Sequence, residues 1–182
     1  MTLDNSRFTE HLVRANTLRF KRWVYDPGMF FLSESKWWGD KGHRSHRHNG
    51  LDLRLYENHA GAIETIAEGA KIPLVYEGRV VNIIEDFLGY TIFAAHEMFD
   101  EGSQLFTIYG HVEPARGVLI DEFAGEGEVI ANLAGKKSTK VPAHLHLSLA
   151  FIPETTRVES LTWQTLDEFE NIIFLDPRDI IE

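Results

Sequence analysis

Polar and apolar residues alternate most strictly at His144-Leu145-His146-Leu147-Ser148-Leu149, in what reads as the penultimate strand of the chain. Side chains of a strand point to opposite faces in turn, so one face carries two imidazoles and the other three leucines. The segment His48-Asn49-Gly50-Leu51-Asp52-Leu53 repeats the scheme, with His48 and Asp52 on one side of an extended chain and Leu51, Leu53 and Leu55 on the other. Between the two, residues 71–76, 78–84, 90–95, 105–109 and 129–133 are short β-rich runs, most of them bounded by Gly, Asp or Glu-Gly turns. None has the length of a helix. The pattern predicts a mainly β protein built of antiparallel sheets.

Helical spacing is confined to the ends. Residues 6–22 suit a short amphipathic helix with Phe8, Leu12 and Val13 on one side, although Asn16 and Thr17 are poor helix formers. Asp26-Pro27-Gly28 is a turn signal, and Trp37-Trp38-Gly39 steps into a histidine-rich loop. One helical turn is expected around Leu166-Asp167-Glu168-Phe169, before Ile172-Ile173-Phe174-Leu175 and the Asp176-Pro177 stop. The expected organisation is a short helical or extended N-terminal arm over residues 1–36 and one β domain over residues 37–182.

Composition narrows the function classes. The 182 residues are 43% hydrophobic and 25% charged, the balance of a folded globular chain able to bury a sizeable core. A formal net charge of -10 argues against a nucleic-acid partner, since phosphate binding needs a surplus of Lys and Arg. The one dense basic run, residues 41–47, reads as a solvated loop or as a rim that attracts anionic groups of a substrate. Cysteine is absent, which excludes disulfides and thiolate ligands, so any metal must sit on His, Asp or Glu. No window has the length and apolarity of a bilayer span, and the start, Met1-Thr2-Leu3-Asp4-Asn5, has the basic and apolar regions of no secretory leader.

The nine histidines hold the candidate chemistry. Two histidines and an aspartate drawn from His48, Asp52, His144 and His146, brought together by two strands, would make the three-ligand set of an open zinc site, with water as the fourth ligand. On residues alone both His144 and His146 would serve as ligands. A third segment, Leu105-Phe106-Thr107-Ile108-Tyr109-Gly110-His111, alternates cleanly, which predicts Thr107, Tyr109 and His111 on one face. If that strand neighbours the site, His111 is an unligated imidazole suited to moving protons. His43 and His46 decorate the loop before His48. His11, His59 and His96 have no partner at useful spacing, and Trp37 and Trp38 suit either a substrate subsite or an aromatic staple under the loop.

In order and spacing, these segments resemble the lysostaphin-like, or LytM-type, zinc metallopeptidases, which cut peptide bonds in bacterial cell-wall cross-links. The matching features are His48 with Asp52, then Tyr109-Gly110-His111, then His144-Leu145-His146, across residues 37–179. The resemblance implies two antiparallel sheets forming a groove, one zinc ion on His48, Asp52 and His146, and His111 and His144 free as catalytic imidazoles. It also implies a peptide or peptidoglycan cross-link as substrate. The chain departs from the family pattern at Gly135-Lys136-Lys137-Ser138-Thr139-Lys140-Val141-Pro142-Ala143, where the family has a Gly-rich Ser-Thr-Gly-Pro turn. Rival readings are a non-catalytic binding or regulatory protein of the same fold, a histidine phosphocarrier of related architecture, and a cupin-type iron site on His46, His48 and Glu57. Metal analysis separates the phosphocarrier and the iron site from a zinc enzyme, because phosphoryl transfer through imidazole needs no carboxylate beside it and the cupin reading requires iron, while bound zinc without cleavage marks the non-catalytic protein.

Overall fold

The computed structural model describes residues 3–135, 141–169 and 171–182, so the lysine-bearing turn at residues 136–140 lies outside the described part. Among the described residues, three α-helices, α1 (Phe8–Asn16), α2 (Trp163–Glu168) and α3 (Arg178–Ile181), flank twelve strands. These are β1 (Phe20–Val24), β2 (Leu51–Leu53), β3 (Leu55–Asn58), β4 (Ile63–Thr65), β5 (Lys71–Pro73) and β6 (Gly78–Glu85). They continue with β7 (Tyr90–Asp100), β8 (Ser103–Pro114), β9 (Phe123–Ala124), β10 (Val129–Leu133), β11 (Leu145–Pro153) and β12 (Ile173–Leu175).

The mainly β, antiparallel architecture read from the alternation is the observed one. A three-stranded sheet runs β1-β3-β4, and a nine-stranded sheet has the spine β12-β11-β8-β7-β6-β9, with β2 on β11 and β5 and β10 attached through β8. The large sheet is apolar on both faces. Leu51, Leu53, Leu105, Tyr109, Leu145, Leu147 and Leu149 belong to one buried cluster, and Phe93, Phe106, Ile108, Ala150 and Ile152 to another, closed by Leu161 and Leu166. The leucines opposite His144, His146 and Asp52 are therefore core, as their spacing predicts.

Several boundaries differ from the sequence reading. The first helix stops at Asn16 and not near Arg22, because Thr17 takes a left-handed φ of 51° and the Leu18 amide returns to the Val13 carbonyl at 3.1 Å. The aromatic Phe20 and Trp23 then enter β1, which pairs with β3. The run at 71–76 leaves its ladder at Pro73, and the Val75 amide instead donates to the buried Tyr109 hydroxyl at 2.8 Å. Strands β7 and β8 extend beyond the predicted runs, joined through Glu101 and Gly102, whose φ values of 46° and 79° are those of a tight hairpin turn. Residues 1–36 contribute Phe8, Leu12 and Trp23 to the main core, and Ser6 bonds through its amide to Ile180 and through its hydroxyl to Val75.

Candidate metal centre and cleft

Two pairings build the centre. On β2 and β11, Asp52 lies directly across from His146, between the buried pairs Leu53–Leu145 and Leu51–Leu147. His48 precedes β2 and is tied by backbone bonds to Ser33 and Leu32. Gly50 lets the loop approach: a Cβ there would fall 2.6 Å from the Leu147 carbonyl and the Ser148 hydroxyl, and 2.7 Å from His146 Nε2.

The side chains meet at short range. His48 Nε2 lies 3.1 Å from Asp52 Oδ1 and 3.0 Å from His146 Nδ1, and His146 Nδ1 lies 3.0 Å from Asp52 Oδ1. His48 Nδ1 donates to the Phe30 carbonyl at 2.9 Å, so Nε2 of the neutral ring keeps its lone pair for the cluster. His146 Nε2 lies 2.9 Å from Ser148 Oγ, which accepts the ring proton whenever Nδ1 is a ligand. The second oxygen of Asp52 accepts from Trp37 Nε1 at 2.6 Å and from Arg44 at 3.3 Å. Trp37 is thus a buried staple with a polar function, and Arg44 of the basic run turns inward. Arg47 pairs with Glu34 at 3.1 Å on the surface.

Electrostatics agree with this donor set. Burial pushes the His146 imidazole down to about 3 against its hydrogen bond with Asp52, so the ring is neutral and offers an electron pair. Burial opposes charge on Asp52, but His48, His144 and His146 outweigh it and hold the carboxyl well below the usual range. With at most one proton among an oxygen and two nitrogens, lone pairs face one another across the cluster, and a cation between them would take up all three. Donors at the usual zinc distances stand about 3.3 Å apart around a tetrahedral ion. The observed spacing is close to that, and His48, Asp52 and His146 are able to hold a metal ion.

Two further imidazoles face the same cleft, a cavity of about 310 Å³ that Trp38, His46 and Phe87 also line. His144 gives Nδ1–H to the Pro142 carbonyl at 2.8 Å, leaving Nε2 3.6 Å from Asp52 Oδ1, and its ring stands edge-on to Trp37. His111 sits 4.8 Å from the His144 ring and 6.1 Å from the His146 ring. Trp163 packs on His146 at 4.9 Å over Gly110, where a Cβ would come within 3.1 Å of the indole.

The position of His111 corrects the sequence reading, which grouped it with Thr107 and Tyr109. Those two face the core, Thr107 bonding to Tyr109 at 2.9 Å, while His111 faces the cleft. The cause is a bulge. Register between β7 and β8 slips between Tyr90–Val112 and Ile92–Tyr109, so Gly110 and His111 together oppose Thr91, and His111 takes a φ of 65°. His96, for which no useful partner was expected, is buried between the Glu77 carbonyl at 2.9 Å and Thr107 Oγ1 at 2.8 Å. The sequence reading also passed over Asp86, which bonds to His111, and gave no role to Ser148, although Ser148 lies two residues after His146 on the same face.

A mainly β protein of antiparallel sheets, whose cleft holds a buried group of two histidines and one aspartate able to bind a metal ion, is the class that fold and site define. No family model and no curated protein matches the chain. Among solved structures it is similar to the catalytic domain of the antimicrobial peptidase lysostaphin from Staphylococcus simulans, at 16% identity over 73% of this chain and 81% of that one, with a TM-score of 0.47. It is similar also to LytU, at 19% identity over 72% and 79% of the two chains, with a TM-score of 0.46. A mutant catalytic domain of the prophage-encoded protein EnpA from Enterococcus faecalis aligns at 17% identity over 69% and 83%, with a TM-score of 0.42.

Proposed function

We propose that this chain is a zinc-dependent endopeptidase that hydrolyses peptide bonds of the kind found in peptidoglycan cross-links. One observation carries the reading. His48 Nε2, Asp52 Oδ1 and His146 Nδ1 converge at 3.0 to 3.1 Å in a cleft that two unligated imidazoles share. His48, Asp52 and His146 would hold the ion. When bound, it supplies Lewis acidity toward water and toward an amide carbonyl.

The remaining residues handle substrate and protons. Burial pushes the His144 imidazole down to about 4, against the pull of Asp52, so the ring is neutral and its Nε2 is free to accept a proton. His111 stands beside it, close enough for both rings to touch one peptide group. In the reaction the water oxygen bonds to the carbonyl carbon and the C–N bond breaks. The proton that water loses leaves on the amine, carried by these imidazoles. Trp38 and Phe87 at the cleft wall flank the substrate, and Trp37 and Arg44 fix the Asp52 carboxylate from behind.

The test is to incubate the purified, zinc-loaded chain with cross-linked wall peptides and map the products by mass. Cleavage that stops on chelation and returns with zinc supports the reading. His48→Ala and Asp52→Ala should lose metal and activity together, while His111→Ala keeps the metal and loses turnover. Bound zinc without any cleavage identifies a binding or regulatory protein instead, and a His111→Ala variant that sheds the metal overturns the division of roles.

A further inference from the structure

The turn between β6 and β7 carries a buried carboxylate that takes no part in the metal cluster. Asp86 stands at its start with a side chain only 2% exposed, and five hydrogen bonds converge on its two oxygens. Oδ1 accepts from the amides of Leu88 at 2.7 Å and Gly89 at 2.8 Å. Oδ2 accepts from the Thr91 hydroxyl at 2.9 Å, the His111 amide at 2.9 Å and His111 Nδ1 at 3.2 Å. Three of the five donors belong to the turn and β7, so the carboxylate is held in place without help from the His111 ring. Trp163 Nε1 in turn donates to Thr91 Oγ1 at 2.9 Å, which ties the turn to the wall of the cleft.

The same carboxylate meets the bulge that re-aims His111. Its bond to the His111 amide satisfies a backbone group that the bulge removes from the ladder, and its bond to Nδ1 fixes the ring. A left-handed histidine costs about 1 kcal/mol or more, and it persists where surrounding bonds over-determine it. Here two bonds from one carboxylate do so. With Nδ1–H committed to Asp86, the lone pair of the neutral ring lies on Nε2.

We propose that Asp86 is a positioning residue for His111, fixing its Nδ1–H tautomer and presenting Nε2 to the substrate cleft. The catalytic consequence rests on the peptidase reading above; the tautomer does not. Asp86→Asn is the informative change. An amide has one oxygen where five donors require two, and the Leu88 and Gly89 amides claim it. The NH2 group then faces His111 Nδ1, which must become an acceptor and move the ring proton to Nε2.

Two measurements decide the matter. Long-range nitrogen–proton NMR of His111 in the metal-free parent protein should show Nδ1–H, and in Asp86→Asn a shift toward Nε2–H. Peptide cleavage by the zinc-loaded Asp86→Asn variant should lose about 100-fold or more in kcat with KM changed less than about threefold, the size expected for one general acid–base group. Zinc stoichiometry should stay at the parent value. An Nε2–H tautomer in the parent overturns the proposal even if no variant folds, and so does an Asn variant of unchanged kcat. A purely structural role would lower the melting temperature and zinc content and leave the kcat of the folded, loaded fraction intact. If the parent cleaves no peptide at all, the peptidase reading fails while the NMR result still decides the function of Asp86.

Discussion

Removing the Ser148 hydroxyl tests the candidate metal centre through an atom that would not touch a bound ion. Ser148 is fully buried, and its Oγ lies 2.9 Å from His146 Nε2. For Nδ1 of His146 to bind metal, the ring proton must sit on Nε2, where Ser148 accepts it. In Ser148→Ala that N–H is left buried without a partner, at a cost of about 1–3 kcal/mol. The metal-free chain escapes most of this cost, because the ring moves its proton to Nδ1 and gives it to Asp52 Oδ1, 3.0 Å away. The penalty therefore falls on the loaded state and shows as lost affinity.

At 1.4 kcal/mol per tenfold change, the expected loss is roughly 5- to 150-fold in zinc Kd. That range brackets the 10- to 100-fold typical of removing a partner behind a ligating histidine. Competition titration against a chromophoric chelator measures it, with thermal melts of the metal-free proteins as the control. A Kd within twofold of the parent, in a variant that melts normally, would refute the assignment of His146 Nδ1 as a donor.

Gly50→Ala should weaken zinc binding at least as much, about tenfold or more in the same titration, because its Cβ meets the Leu147 backbone oxygen at 2.6 Å and no flexible group yields there. Tyr109→Phe removes the acceptor of the Val75 amide and should cost about 1–3 kcal/mol, lowering the melting temperature by about 2–12 °C with zinc affinity unchanged. His96 gives an acid dependence. Burial pushes its imidazole down to about 4, so the unfolded chain binds the proton more readily than the folded one, and stability is complete above about pH 6.5 and falls toward pH 4. The full drop from this ring is about 3 kcal/mol. Urea midpoints of the parent and of His96→Gln should diverge less as pH falls from 7 to 4, and a constant difference would contradict it.

The fold was legible because its code is local. Leu145, Leu147 and Leu149 on one side, with His144 and His146 on the other, state which face of β11 is core before any partner strand is known. Leu51 and Leu53 state the same for β2, and the observed pairing of Asp52 with His146 follows once those leucines face one way. Boundaries were less legible where a tertiary bond overrides spacing. The helical pattern of residues 6–22 ends early because Phe20 and Trp23 find a strand partner, and the run at 71–76 ends at Pro73 because the Val75 amide finds Tyr109.

The division among the histidines was not legible from alternation, and the reason is physical. His144 and His146 share a face, yet only His146 stands opposite Asp52, and His144 lies beyond the end of β2. Which imidazole reaches the cluster depends on the length of a neighbouring strand and not on the period of its own. His111 shows the same limit more sharply. By a period of two it belongs with Tyr109 in the core, and one extra residue opposite Thr91 turns it to the other face. Nothing within Tyr109-Gly110-His111 announces that insertion except the glycine, because a bulge is defined by the register of two strands. The carboxylate that holds it comes from a turn more than twenty residues earlier, Asp86 to Gly89, whose own bonds are complete without His111. A periodic pattern therefore specifies the sheet and the Asp52–His146 pair, while His111 is placed where the period breaks and a distant side chain keeps it broken.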